Sequence, residues 1–140
     1  MKRFNDKIAV ITGGNSGIGY AAAERLRQEG ATVMIIGRNA DKVGQAAQQL
    51  GEGVLGLTAD VSDNTQLDSV FAEIKQRFGR IDLLFANAGV AYFAPVTDVT
   101  EDFFDSMTNI NQRGLFFTIQ KALPLLGRGS PVVINTSVVN

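Results

Sequence analysis

Thr12-Gly13-Gly14-Asn15-Ser16-Gly17-Ile18-Gly19 is the stretch that decides the fold. It follows the apolar run Ile8-Ala9-Val10-Ile11 and precedes an amphipathic segment, residues 18–28. A strand, a glycine turn and a helix in that order make the setting a phosphate-binding loop needs. Gly13 can take backbone angles closed to residues with a Cβ. Gly17 lets a pyrophosphate lie close to the main chain, and Gly19 lets the helix press on the strand behind it. Asn15, Ser16 and Ile18 complete the candidate loop. The helix that starts there turns free N–H groups and a partial positive charge toward an anion. Without a ligand, the same residues read as a tight strand-to-helix turn.

Strand and helix periods alternate outward from this loop. Residues 7–12 read as a buried strand, because the apolar run is continuous rather than alternating. Ile18, Ala22 and Leu26 recur at helical spacing, and Gly30 stops that helix. Residues 32–36 form a second buried strand, residues 41–50 a helix ended by Gly51, and residues 54–58 a weaker strand interrupted by glycine. Ser62 or Asp63 caps the next helix, whose stripe is Leu67, Val70, Phe71, Ile74 and Phe78. Residues 81–86 are a fourth strand, broken at Asn87-Ala88-Gly89. A loop with Pro95 leads to a helical region, residues 100–126, in one or two pieces, with Phe104, Met107, Asn111, Leu115, Thr118 and Ala122 on one face. Residues 132–136 are a fifth strand.

This alternation predicts an α/β fold: a Rossmann-like, doubly wound parallel sheet in three layers, joined by right-handed crossovers, with strand order 3-2-1-4-5. In such sheets ligands sit at the C-terminal strand ends where the order reverses, here between strands 1 and 4. The glycine loop, Arg38, Asp60, Asn87-Ala88-Gly89 and Ser137 all fall at such ends.

Composition narrows the chemistry. The 140 residues are 45% hydrophobic, enough for one domain with a core, residues 1–140. A net charge of −1 argues against a general nucleic-acid or anionic-membrane surface. With no Cys and no His, Cys/His zinc sites, thiol catalysis and a Ser-His triad are excluded, and no metal is expected. Lys2-Arg3 followed by polar residues does not read as a signal peptide, and no apolar stretch is long enough to span a bilayer. The expectation is a soluble cytoplasmic protein.

A sheet that binds NAD usually places Asp or Glu after strand 2 to hold the ribose 2′-OH. Here that position is Gly37, followed by Arg38. A guanidinium pairs well with a 2′-phosphate, so NADP(H) is the expected cofactor; the plainer reading is a solvated arginine. The same missing acid disfavours a methyltransferase. Asp60 could accept the exocyclic amine of adenine while Val61 packs on the ring, or Asp60 could simply favour a helix start. Asn87, Ala88 and Gly89 offer close approach to a nicotinamide ribose, or only a turn. Asn111 is an amide on an apolar helix face and must find hydrogen bonds, order a water or hold a kink. Ser137 could donate to a substrate carbonyl, or be an ordinary turn residue.

Assembled, these residues closely resemble the short-chain dehydrogenase/reductase family over the whole chain. Thr12-Gly13-x-x-x-Gly17-x-Gly19 is similar to its cofactor loop, and Asp60-Val61 to its adenine pocket. Ala86-Asn87-Ala88-Gly89 is similar to its Asn-Asn-Ala-Gly signature, with Ala in the first place. Asn111 and Ser137 resemble the Asn and Ser of its catalytic tetrad. The resemblance implies hydride transfer between a nicotinamide and a small alcohol or carbonyl substrate. In that family a Tyr is the general acid/base and a Lys one helical turn later lowers its pKa. Here Tyr20 and Tyr92 are followed four residues on by Glu24 and Val96. The chain is therefore read as an incomplete domain, truncated after strand 5 and by itself catalytically incompetent. The alternative is a non-catalytic dinucleotide-binding module. A bare edge at strand 5 and a helical face with Phe103, Phe104, Phe116 and Phe117 predict a homo-oligomer.

Overall fold

The computed structural model describes residues 2–136; Ser137 lies outside the described residues. Five strands form one parallel sheet: β1 (Ile8–Thr12), β2 (Thr32–Gly37), β3 (Val54–Thr58), β4 (Leu83–Ala86) and β5 (Val132–Ile134), in the order β3-β2-β1-β4-β5. The helices are α1 (Gly17–Gln28), α2 (Ala40–Leu50), α3 (Asn64–Phe78), α4 (Glu101–Thr108) and α5 (Leu115–Ala122). Between α4 and α5 the chain winds through a π-helical turn, Asn109–Gly114, without a break.

β1 is buried along its full length, as a central strand covered on both faces must be. Its residues divide by parity. Val10 joins Met34, Ile36 and Leu84 in a core shared with Leu67, Val70, Phe71 and Ile74 of α3 and Ala122 of α5. Ala9 and Ile11 join Val33 and Ile35 against Ala23 of α1 and Val43, Ala46 and Leu50 of α2. The strand order and the three layers are as the alternation predicts. The glycine that interrupts β3 has a packing reason: a Cβ on Gly56 would stand 2.7 Å from Val43 Cγ1, so α2 lies down directly on the strand.

Local readings change in several places. Ile18 is 66% exposed, and α1 instead buries Gly19 and Ala23. Ile81 makes only an isolated bridge to Leu126, and β4 begins at Leu83. β5 ends at Ile134, and all three of its residues are exposed at the sheet edge. Asp63, not Ser62, caps α3, its Oδ1 accepting from Thr65 and Gln66 N–H. Phe104 is 61% exposed and leaves the buried face, which runs Gly114, Thr118, Ala122 and Leu125.

Candidate functional site

β1 and β4 are neighbours, and the connections leaving them run to opposite sides of the sheet. A cleft of about 430 Å³ opens at their C-terminal ends. It is lined by Gly13, Asn15, Ser16, Arg38, Asp60, Val61, Asn87, Ala88 and Gly89 among the residues singled out from sequence. That volume lies in the range of small-molecule sites.

The glycine loop is held from behind. Gly13 N–H donates to the Ile36 carbonyl at 2.7 Å. Gly13 has φ +66, and a Cβ there would stand 3.0 Å from Ala88 Cα. Gly17 has φ +56 and nothing within 4 Å of where its Cβ would be, so its front is open to a ligand. Gly19 is enclosed instead: its Cβ would run into the Gly13 carbonyl oxygen and the Asn87 amide. The two glycines thus serve different needs, one open approach and one close packing.

The start of α1 is left uncapped. Ser16 occupies the N-cap position without a side-chain hydrogen bond. Asn39, Asp63 and Thr100 each cap their own helix, α2, α3 and α4. Nor does α1 carry an acid in its first turn. Its first N–H groups therefore lack the local acceptor that the other three helices supply.

Past β2 the cleft becomes basic. Arg38 and Lys42 both line it, and neither is in an ion pair among the described residues. Lys42 was not anticipated from sequence, although its place in the first turn of α2 follows from the Asn39 cap, whose Oδ1 accepts the Lys42 N–H at 3.0 Å. Position 37 is tight. A Cβ on Gly37 would stand 2.5 Å from Asn15 Oδ1 and 2.8 Å from Val43 Cγ2.

Asp60 is half-buried, and its Oδ1 accepts from both the Ser62 N–H at 2.9 Å and the Ser62 hydroxyl at 2.6 Å. These contacts leave Oδ2 for another donor. Val61, 7% exposed, forms the cleft wall beside it. Asp60 thus shapes the approach to α3 and also lines the cleft.

Asn87 is a structural tie as well as a lining residue. Its Nδ2 donates to the carbonyls of Thr12 and Gly13 at 3.2 Å each, and its Oδ1 accepts from Asn135 Nδ2 at 2.9 Å. Thr12, which opens the loop motif but whose hydroxyl was given no role from sequence, is 2% exposed; its hydroxyl oxygen accepts the N–H groups of Asn87 and Ala88 at 3.0 Å each. The available signal was a polar residue closing an apolar strand. Asn111 does not line the cleft. It satisfies its amide on the main chain of Val90, which does. No group of three or more His, Cys, Asp or Glu suited to a metal occurs among the described residues.

Comparison with known proteins places this geometry. The family model described as short chain dehydrogenase matches residues 7–140. An uncharacterized oxidoreductase of Staphylococcus epidermidis is 34% identical over 141 residues, covering 100% of this chain and 61% of the relative. A crystal structure described as a short-chain dehydrogenase/reductase, glucose/ribitol dehydrogenase, from Brucella melitensis superposes with a TM-score of 0.91 at 30% identity, covering 96% of this chain and 58% of that one. Levodione reductase superposes with a TM-score of 0.82 at 36% identity, covering 88% and 50%. The chain thus spans little more than half the length of these relatives.

Proposed function

This chain belongs to the short-chain dehydrogenase family, and on that footing we propose that it is the dinucleotide-binding part of an NADP(H)-dependent oxidoreductase acting on a small alcohol or carbonyl compound. The observation that carries the reading is the uncapped start of α1 opening on a cleft that turns basic at Arg38 and Lys42. Bound nicotinamide would supply the hydride; the protein supplies the rest.

The residues present fit such a group. Main-chain N–H groups along Asn15, Ser16, Gly17, Ile18 and Gly19 would receive the pyrophosphate, helped by the helix dipole, while Gly13, its own N–H held by the Ile36 carbonyl, shapes the turn beneath it. Arg38, with Lys42 beside it, would hold a 2′-phosphate, and Gly37 supplies no carboxylate of the kind a 2′-hydroxyl would want. Asp60 Oδ2 and Val61 would take the adenine. Asn87, Ala88 and Gly89 would flank the nicotinamide ribose. Asn111 would hold the Val90 wall in place, and Ser137 would donate to the substrate oxygen.

A second reading has its own support. None of the tyrosines in this sequence precedes a lysine by four residues, so the chain holds no proton donor of the family's kind. Binding without turnover is the expected behaviour of these 140 residues. Calorimetry with NADPH and NADH, beside an absorbance assay with simple ketones, tests both readings. We expect NADPH to bind more tightly than NADH, with no consumption. Equal affinity for the two would remove the case for NADP(H), and turnover would remove the case for an inert module.

A further inference from the structure

The π-helical turn touches the cleft on both sides, and the second contact lies outside any role given so far. Arg113 Nη1 donates to the Ser62 carbonyl oxygen at 2.8 Å. Its guanidinium carbon lies 5.0 Å from the centroid of the Phe117 ring, which fixes the direction of the side chain. Gly114 is buried against Val61: a Cβ there would stand 2.8 Å from Val61 Cγ2, 2.9 Å from its carbonyl oxygen and 3.1 Å from its carbonyl carbon. Main-chain atoms cannot turn aside as a flexible side chain can. Residue 114 therefore sets how close the turn comes to Val61, and residue 113 fastens it there.

The segment being held is short and already stiff. Ser62 is bound to Asp60 Oδ1, and the Asp60 N–H donates to Gln66 Oε1 at 2.8 Å. A shift of Val61 would carry Asp60 with it. We propose that Arg113 and Gly114, which do not line the cleft, are positioning residues for its adenine wall. They set the place of Asp60 and Val61 from behind. This rests on the cofactor reading above.

The test compares NADPH with its deamino analogue, which carries hypoxanthine and lacks the exocyclic amine that Asp60 would accept. The unaltered chain should bind NADPH more tightly than the analogue. Arg113→Ala should weaken NADPH roughly threefold to tenfold, the worth of one hydrogen bond, and weaken the analogue less, so that the ratio falls. Gly114→Ala should lower the ratio further. Arg113→Lys, which keeps a donor, should restore part of it. Should Gly114→Ala fail to fold, the exposed Arg113 still decides the matter. A parallel loss for both dinucleotides, or no loss, overturns the positioning role and leaves the cofactor reading standing. No binding of either dinucleotide by the unaltered chain overturns both.

Discussion

Asn111 grips Val90 with both ends of its amide: Oδ1 accepts the Val90 N–H at 2.8 Å, and Nδ2 donates to the Val90 carbonyl at 2.8 Å. A polar residue in mid-helix thereby meets its hydrogen-bonding need on a loop rather than in its own helix. Gly89 packs close beside it: a Cβ there would stand 3.2 Å from Asn111 Oδ1. Asn111→Asp keeps the size but sets a carboxylate oxygen against the Val90 carbonyl. It should cost about 1–3 kcal/mol of stability, as a lost hydrogen bond with an unpaired partner does. Urea denaturation reads this directly, and a change within about 0.3 kcal/mol would show that the pair contributes nothing.

Thr12 makes a sharper case, because its hydroxyl serves two half-buried main-chain donors at once. Thr12→Val keeps the shape and leaves the Asn87 and Ala88 N–H groups without an acceptor. The expected loss is about 2–4 kcal/mol, with Thr12→Ser well under half of that. Equal losses for the two variants would mean that the methyl group, not the hydroxyl, is what matters.

The sheet and its order are legible because the central strands are continuous apolar runs closed by glycine or a polar turn, as in Val33 to Ile36. The glycine loop is legible because its spacing reports backbone needs directly. Contacts between distant segments are not. Nothing in the sequence near Asn111 announces Val90 as its partner, and the π turn has no period that a hydrophobic stripe would display. Ile18 and Phe104 mislead for one reason. Helical spacing orders residues around a cylinder, but the sheet decides which side of the cylinder is covered. Lys42 hides in the first turn of α2, where a basic residue reads as a solvated surface group.

Arg38 and Lys42 should divide the work of choosing between cofactors. Arg38→Ala should weaken NADPH by roughly tenfold or more, in keeping with a charge-assisted hydrogen bond of about 1.5–3 kcal/mol. Lys42→Ala should weaken it less, and both should leave NADH nearly unchanged. Raising the salt concentration should narrow the NADPH preference of the unaltered chain, since both cations are exposed. A loss shared equally by NADH would show that these residues support the loop and not the phosphate.

The expectation of self-association now narrows to particular side chains. Phe103 lies edge-on to Tyr92 at 6.2 Å, and Phe117 packs on the core, so both are already partly covered. Phe104 and Phe116 are 61% and 60% exposed. Phe104→Glu with Phe116→Glu should shift the protein toward monomer in light scattering at high concentration. An oligomer that survives both changes would point to β5, the outermost strand on its side of the sheet among the described residues, where Val133 is 47% exposed.

Asp82 stands at the other end of the strands from the cleft. Its Oδ2 accepts the Ile8 N–H at 2.9 Å and the Arg80 Nε–H at 3.0 Å, and Lys7 Nζ lies 3.7 Å from Oδ1. Burial pushes this carboxyl up, but the Ile8 hydrogen bond and the Arg80 and Lys7 charges together hold it below the ordinary carboxylate range. A carboxyl lowered in the folded state gives stability that is present above its unfolded pKa, near 4, and lost as pH falls through the folded value. Asp82→Asn should therefore be less stable than the unaltered chain at neutral pH. The gap should close steadily below about pH 4. Affinity for NADPH should not change, because the cleft lies at the far ends of β1 and β4. A gap that stayed constant down to the acid limit would mean that Asp82 acts through its shape and hydrogen bonds alone, with no share carried by its charge.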